Sequence, residues 1–356
     1  MNEAQSIIDR VAAAVLYEGY ILYPYRRSLK NMQRWTFGGV LPRAFCEIHP
    51  EENCTVQSEC LVVADDDAEL GIRVRFLQLV ERMVAELTPP LAALPDDREP
   101  ATRRVDSLTV GGETFHGWQE AVEREIAVLN LSIGRLITDP YQCHFVYSHN
   151  RTTEPLSDVS AAQIPGILIR ENHAIEGNIR VGAQRLDDGV TKLTVTISND
   201  TAVPNMGGAT RDMALAYSFA SLHTILELHV GQFISAVDPP PQWTAAAAAC
   251  SNRGAWPVLV GEKGQRDTML SAPIILYDYP EVAPESPGDL FDASEIDEIL
   301  TLRVLTLTDD EKRQMAMIEH HTRSLLQRTE ALDAAAFNQL HGTLRLCEPA
   351  TEDCLR

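Results

Sequence analysis

Residues 60–84 place two apolar runs on either side of an acidic turn: Cys60-Leu-Val-Val, then Asp65-Asp66-Asp67, then Leu70-Gly-Ile72-Arg-Val74-Arg-Phe76-Leu-Gln-Leu79. In the second run apolar and polar residues alternate, which is the period of a strand with one buried face. The three pieces together predict a β-hairpin across residues 60–84.

The chain on the C-terminal side of this hairpin continues the strand pattern. Residues 126–133 predict a strand whose alternation slips by one residue at Leu129. Three runs between residues 166 and 199, with Asp187-Asp188-Gly189 as a turn, predict a β-meander. Residues 88–104 contain four prolines and are expected to form a loop. Two further buried strands are expected at Trp256–Val260 and Pro273–Tyr277.

Helical periodicity marks other segments. Residues 3–17 predict an amphipathic helix that ends near Gly19. Residues 209–230 are nearly all apolar after Met213 and are expected to form a helix buried in the core. Shorter helices are expected at 243–250, after Pro239-Pro240-Pro241, at 293–301 and 309–328, where capping-box spacing occurs, and after Asp333.

These elements predict an α+β fold: a β-rich body of sandwich or meander type, one buried helix and a helical C-terminal region. Residues 1–238 would hold the N-terminal helix, an arm and the β-rich body. Residues 239–356 would hold an extended acidic ribbon, at 278–311, and the C-terminal helices, packed on the same core. A division into two domains near Pro239 is the alternative.

Composition and charge restrict the class of function. The chain has 356 residues, 45% of them hydrophobic, and a net charge of -21. Such an acidic surface repels phosphate backbones and anionic headgroups, so neither nucleic acid nor membrane insertion is expected. There is no apolar run of about 18 residues, and the N-terminus lacks a basic, apolar signal. Seven cysteines, an odd number, suggest reduced thiols, so a cytoplasmic location is expected.

One cluster has the residue types of a metal site. Cys46, His49, Cys54 and Cys60 follow one another within fifteen residues, and thiolate and imidazole are ligands of zinc, nickel or an iron-sulfur cluster. Their spacing matches no standard motif. The alternative is that Cys60 is a small buried hydrophobe of a strand and the other three lie in a surface loop.

Residues 23–39 form a basic, aromatic segment whose role has three possible interpretations. It could dock on the chain's own acidic ribbon, since residues 1–43 carry a net charge of +3. It could bind a partner, since Arg and aromatic residues are enriched at interfaces, or it could line a ligand pocket. The interface candidates are Tyr23, Tyr25, Arg26, Arg27, Lys30, Arg34 and Trp35, with Asp289, Asp292 and Glu295 on the acidic ribbon.

Several stretches resemble a known family. They are Val15–Asn31, Gln33–Gly38, Ser58–Val62, Ile72–Leu79, Ala121–Ile126, Ser271–Asp278 and Ala283–Arg303. The family is an uncharacterised one, encoded in gene clusters of high-affinity, oxygen-tolerant nickel-iron uptake hydrogenases, and the resemblance spans nearly the whole chain. The resemblance implies a role in hydrogenase biogenesis but identifies no metal ligands and no catalytic residues.

The sequence contains no familiar nucleotide-binding loop, nucleophile elbow or metalloprotease motif. This absence favours a non-enzymatic protein, without a cofactor. The resemblance implies that its process is nickel-iron hydrogenase assembly or maturation, so we expect an accessory protein, a scaffold or chaperone, with a hydrogenase subunit or maturation factor as partner. The alternative is a metal-carrying or iron-sulfur protein that uses Cys46, His49, Cys54 and Cys60.

Overall fold

The computed structural model describes residues 3–18, 38–95, 100–158, 163–186, 189–203 and 206–280, together with Lys312 and Gln327. By its internal contacts the chain divides into two compact units, Met1–Pro280 and Glu281–Arg356. All helices and strands given below belong to the first unit. The predicted helices beyond Pro280 and the acidic ribbon after it lie outside the described residues, apart from Lys312 and Gln327.

The helices are short except for the first. They are α1 (Glu3–Glu18), α2 (Arg43–Cys46), α3 (Ile133–Thr138), α4 (Arg211–Leu215) and α5 (Thr244–Ala248). The predicted helices at 3–17 and 243–250 are thus confirmed as α1 and α5. Among the described residues no helix combines the length and the apolar character that crossing a membrane requires.

Strands make up most of the first unit. They are β1 (Thr55–Val63), β2 (Glu69–Leu91), β3 (Thr102–Val105), β4 (Ser107–Val110), β5 (Glu113–His116), β6 (Trp118–Ser132), β7 (Tyr141–Tyr147), β8 (Asn150–Asp158), β9 (Gln163–Asn172), β10 (Ile175–Arg185), β11 (Thr191–Asn199), β12 (Ala220–Leu228), β13 (Gln232–Ile234), β14 (Trp256–Leu259) and β15 (Thr268–Ala272). The predicted β-rich body is therefore confirmed.

The strands form two main antiparallel sheets. The first has the order β13-β1-β11-β10-β7, and the second has the order β14-β15-β12-β2-β9-β8, with β3 and β6 also paired to β2. The long β2 pairs with β12 and β6 along its first half and with β9 and β3 along its second. β4 and β5 form a separate two-stranded hairpin.

One apolar core joins the two sheets. It contains Ile72, Val74 and Phe76 of β2 together with inward residues of β10, β11 and β12. At its centre the rings of Phe76 and Phe219 lie 4.8 Å apart. Helix α1 covers the opposite face of the second sheet, where Leu16 packs against Leu77, Leu79 and Ala220.

The predicted buried helix at 209–230 is wrong. Only Arg211–Leu215 is helical, and Ala220–Leu228 is the strand β12. β12 lies between β15 and β2, with the core on one face and α1 on the other, so that all its residues except Glu227 are buried. A strand covered on both faces has a continuous apolar sequence, which does not show the alternation of a half-buried strand.

The predicted hairpin at 60–84 is also wrong in its pairing. β1 and β2 are strands, as expected, but they belong to different sheets, and the acidic turn at Asp65–Asp67 carries the chain between them. In the predicted meander, β10 and β11 pair as a hairpin, whereas β9 pairs with β2 in the other sheet. Alternation shows which side chains face a core but does not specify the partner strand.

One predicted loop and one predicted strand also differ from expectation. β2 extends to Leu91 and β3 begins at Thr102, so strands occupy both ends of the predicted 88–104 loop. Trp256–Leu259 is a strand as predicted, but Pro273–Tyr277 is not, since β15 ends at Ala272. Pro273 has no N–H with which to continue the ladder.

Candidate functional site

Residues 38–54 form a compact loop that holds three of the four predicted metal ligands. The N–H of Leu41 donates to the Asn53 carbonyl at 2.8 Å, which brings the two ends of the loop together. Between them, the carbonyl of Pro42 accepts hydrogen bonds from the amides of Phe45 and Cys46 and so begins α2. Pro42 lacks an N–H and is therefore suited to this position before a helix.

Cys46 and Cys54 lie together in this loop. Cys46 is buried with Leu41, Phe45 and Met206, and Cys54 packs against the same cluster. The Cys46 thiol lies 3.9 Å from the Leu41 carbonyl, to which it donates. Burial, aided by the neighbouring Cys54, raises the pKa of Cys46 to about 12. At neutral pH the Cys46 sulfur is thus a thiol, which a metal would first have to deprotonate.

His49 is held by other partners. Its ring stacks on that of Phe45, with 4.3 Å between the centroids. Its Nδ1 lies 3.3 Å from a carboxylate oxygen of Glu51. A backbone hydrogen bond of Glu51 itself does most to lower the pKa of the Glu51 carboxyl. Desolvation opposes this effect, and the hydrogen bond with His49 adds a smaller lowering.

Cys60 lies apart from the other three. It belongs to β1 and packs in the main core between the sheets, where burial raises the pKa of its thiol far above the usual range. The expected role of Cys60 as a small buried hydrophobe fits this position, whereas Cys46 is more buried than a surface loop implies. Across the part of the chain that the structure describes, no three His, Cys, Asp or Glu side chains converge as a metal site.

An open cleft of about 480 Å³ lies beside α2. It is lined by Arg43, Ala44, Glu47, Asp200, Thr201, Ala202 and Val203. Ala44 and Val203 also pack against the cluster that contains Cys46, so the cleft and the thiol cluster share a wall. The guanidinium of Arg43 donates to Asp200 at 3.4 Å across the cleft.

Sequence reasoning missed the partners of this loop. Asp200 is fixed by Ser198, whose hydroxyl donates to it at 3.1 Å, and Arg211 donates to Glu52. The Arg43–Asp200 and Arg211–Glu52 contacts join residues 157 and 159 positions apart. Their only signal in the sequence is a polar residue at the end of a strand or the start of a helix, and that is too common to identify a site.

A second feature is an apolar pair at the end of the first unit. Ile275 is 81% exposed and Tyr277 is 85% exposed. The segment that carries them is fixed on both sides, by β15 before it and by Asp278 and Tyr279 after it. The Asp278 carboxylate accepts from the Leu259 amide at 2.8 Å and from the Ser235 hydroxyl.

The predicted interface residues lie outside the described residues. This applies to the basic, aromatic set and to the acidic set alike: Tyr23, Tyr25, Arg26, Arg27, Lys30, Arg34, Trp35, Asp289, Asp292 and Glu295.

Neither a protein-family model nor a curated protein sequence matches this chain.

Proposed function

We propose that this protein is a non-enzymatic accessory protein of nickel-iron hydrogenase assembly or maturation. It acts as a scaffold or chaperone and binds a hydrogenase subunit or maturation factor. The docking surface includes Ile275 and Tyr277. The observation that carries the proposal is that the stretch Ser271–Asp278, one of those that resemble the hydrogenase-associated family, holds two large apolar side chains in solvent.

Exposure of this kind favours protein binding. Single exposed apolar residues are common on protein surfaces, but two side chains of this size within three residues expose more apolar surface than one isolated residue does. Burying each against a partner would contribute about 1.5–3 kcal/mol. Tyr is also among the residues that most often dominate the free energy of protein interfaces.

The anchoring of the segment supports the same conclusion. The Tyr279 amide donates to the Leu259 carbonyl at 2.7 Å, and its hydroxyl donates to the Gln265 carbonyl at 2.9 Å. Because the backbone around the apolar pair is already ordered, a partner would not have to order it on binding. Such preorganisation lowers the entropic cost of association.

Charge restricts the partner. Residues 278–311 contain eleven acidic residues and one Arg, so this part of the chain favours a basic surface. The partner that fits best has an apolar pocket for Ile275 and Tyr277 and a basic surface for the acidic residues that follow them in the sequence.

Co-purification tests the proposal. Tagged full-length protein, expressed in its own host with the hydrogenase genes, should co-purify with a hydrogenase subunit or maturation factor, identified by mass spectrometry. The double variant Ile275→Ser, Tyr277→Ser should lose the partner. The matched control Met213→Ser, Val230→Ser should keep it, because these residues are also apolar and exposed, at 59% and 64%, but lie elsewhere in the sequence.

A gene deletion tests the process. Hydrogenase activity should fall in the deletion strain while the hydrogenase transcript stays unchanged. Normal activity in that strain, or equal capture by the two double variants, would contradict the proposal.

The second candidate function is metal or iron-sulfur carriage. The proximity of Cys46 and Cys54 favours it, because two thiols in one cluster supply half of a tetrahedral ligand set. Cys60, on the core side of β1, would have to be replaced by ligands from elsewhere. Elemental analysis of the anaerobically purified protein separates the two functions, because only the metal-carrying function predicts a stoichiometric metal.

A further inference from the structure

The Cys46 and Cys54 thiols are neighbours because the loop between them is folded back on itself. The backbone of Leu41 contacts both sides: its N–H donates to Asn53, the residue before Cys54, and its carbonyl accepts from the Cys46 thiol. Cys54 packs against the apolar cluster in which Cys46 is buried, and its charge and side-chain hydrogen bond contribute to the raised pKa of Cys46. Seven residues of sequence separate the two, a span that a disulfide can close.

The two thiols differ in exposure. Cys46 is buried, whereas Cys54 is half-buried and lies next to Thr55, whose hydroxyl is 3.9 Å from the Cys54 sulfur. A small oxidant therefore meets Cys54 first. Cys46, packed behind it, then lies in the position of a resolving cysteine.

The other described cysteines are arranged differently. Cys60 points into the core between the sheets, whereas Cys250 packs with Leu61, the next residue of β1 and therefore on the opposite face. The charge of Cys250 still acts on Cys60, but the two side chains lie on opposite faces of β1. The Cys143 sulfur contacts the His144 carbonyl on β7.

We propose that Cys46 and Cys54 are a redox-active pair that forms a reversible disulfide when the protein meets hydrogen peroxide. The Cys54 sulfur, after losing its proton to solvent, attacks one peroxide oxygen. The O–O bond breaks, the leaving hydroxide takes up a proton to become water, and Cys54 becomes a sulfenic acid. The Cys46 sulfur then attacks the Cys54 sulfur, so that the S–S bond forms and the S–O bond breaks.

The sulfenic hydroxyl leaves with the proton of Cys46 as a second water. In total, two thiols and one peroxide give one disulfide and two waters: the thiols lose two electrons and the peroxide gains them. The disulfide links the end of α2 to the chain that enters β1. It thereby fixes the loop that carries His49 and Glu52 and one wall of the cleft.

Peptide mapping tests the proposal on the reduced, full-length protein treated with one equivalent of hydrogen peroxide. The intact mass should fall by about 2 Da, the mass of two hydrogen atoms, and return on reduction with dithiothreitol. Digestion after glutamate, without reduction, cuts at Glu47, Glu52 and Glu59 and so places Cys46, Cys54 and Cys60 on three peptides. The peptides of Cys46 and Cys54 should be linked.

Single variants test the order of the steps. Cys46→Ser should accumulate a sulfenic acid on Cys54 that dimedone traps, and Cys54→Ser should form no cross-link at residue 46. Cys143→Ser is the matched control and should retain the Cys46–Cys54 link. Linkage of any other pair in the wild-type protein, over-oxidation of Cys54 with Cys46 still reduced, or no change in mass would overturn the proposal. The wild-type map decides even if a variant fails to fold.

Discussion

The Nδ1 of His223 donates a hydrogen bond to the carbonyl of Ser221 at 3.1 Å, within the same strand. Ser221 has a positive φ of 51° and lies where β12 gains one residue relative to β2, between the pairs Ala220↔Leu77 and His223↔Arg75. This bulge leaves the His223 ring fully buried, and its Nε2 has no hydrogen-bond partner among the described residues. Burial, reinforced by the charges of Arg75 and Arg73, lowers the pKa of His223 to about 3.

The lowered pKa of His223 predicts acid sensitivity. The unfolded chain takes up a proton near the ordinary value of 6.5, whereas the folded chain does so only near 3. As the pH falls below about 6.5, the unfolded state binds more protons, and the free energy of unfolding should fall by up to about 1.4 kcal/mol per pH unit. Replacement of His223 by Leu should remove this contribution.

Urea denaturation of the wild type and of His223→Leu, at several pH values between 7 and 4.5, measures the contribution of His223. The difference between wild type and His223→Leu should shift in favour of the variant as the pH falls. His229→Gln, at an exposed position after the same strand, serves as the control and should follow the wild type. Parallel curves for wild type and His223→Leu would contradict the assigned pKa.

Asn199 predicts a second stability effect. Its side-chain nitrogen donates to the carbonyls of Val40 and Tyr217, both at 2.8 Å, and its oxygen accepts from the Thr201 amide at 3.0 Å. Asn199 is completely buried, so Asn199→Ala would remove its hydrogen bonds with the Tyr217 carbonyl and the Thr201 amide, while the Val40 carbonyl would keep the one from the Phe219 amide. The free energy of unfolding should fall by about 2 kcal/mol or more. Asn150→Ala, on the exposed start of β8, should change it by less than about 0.5 kcal/mol.

Urea denaturation at pH 7 compares these two variants with the wild type. An unchanged midpoint for Asn199→Ala would mean that water replaces the lost side chain at no cost.

Features that depend on neighbouring residues could be predicted from the sequence. The slip in alternation at Leu129 corresponds to a β-bulge, at which Leu129 and Asn130 lie opposite Gly71 and Asn130 adopts a φ of 60°. The slip is visible in the sequence because a bulge moves every later side chain to the other face. The sequence also predicts α1 correctly, because one face of this helix is buried and the other is not, which gives an amphipathic pattern.

Features that depend on distant residues could not be predicted. The sequence of β12 predicts a helix because α1 covers the outer face of the strand, and a strand buried on both faces loses its alternation. β1 pairs with β11, for example Cys60 with Leu193, rather than with the adjacent β2. The neighbourhood of Cys46 and Cys54 follows from the Leu41–Asn53 contact and from Met206 and Ala214, which come from another part of the chain.

The docking of α1 yields a third prediction. Arg73 of β2 donates to Asp9 of α1 at 3.0 Å, and the Arg73 side chain is mostly buried, whereas that of Asp9 is 43% exposed. A partly exposed ion pair contributes about 0.5–1 kcal/mol. Asp9→Asn should therefore speed amide hydrogen exchange in α1 by about two- to five-fold. Exchange in β10 and β11 should not change.

Hydrogen exchange followed by mass spectrometry measures this effect. Arg10→Gln, at the neighbouring exposed position of α1, is the control and should leave the exchange of α1 unchanged. If Asp9→Asn behaves like the control, the ion pair does not hold the helix, and the buried apolar face that includes Leu16 does.

The cysteines yield the last prediction, which concerns both metal and stability. Cys60 is buried in the main core and Cys46 and Cys54 lie in another cluster, so one metal ion cannot use all of them without rearrangement of the loop. Anaerobically purified protein should contain well under one equivalent of zinc, nickel or iron by elemental analysis. Cys54→Ser, at the half-buried position, should change the free energy of unfolding by no more than about 0.5 kcal/mol. Cys60→Ser should lower it by about 1–3 kcal/mol, because its hydroxyl enters the core without a partner. Ligands of one site fail together, so a stoichiometric metal lost equally on replacement of Cys46, His49, Cys54 or Cys60 would establish the metal-carrying function instead.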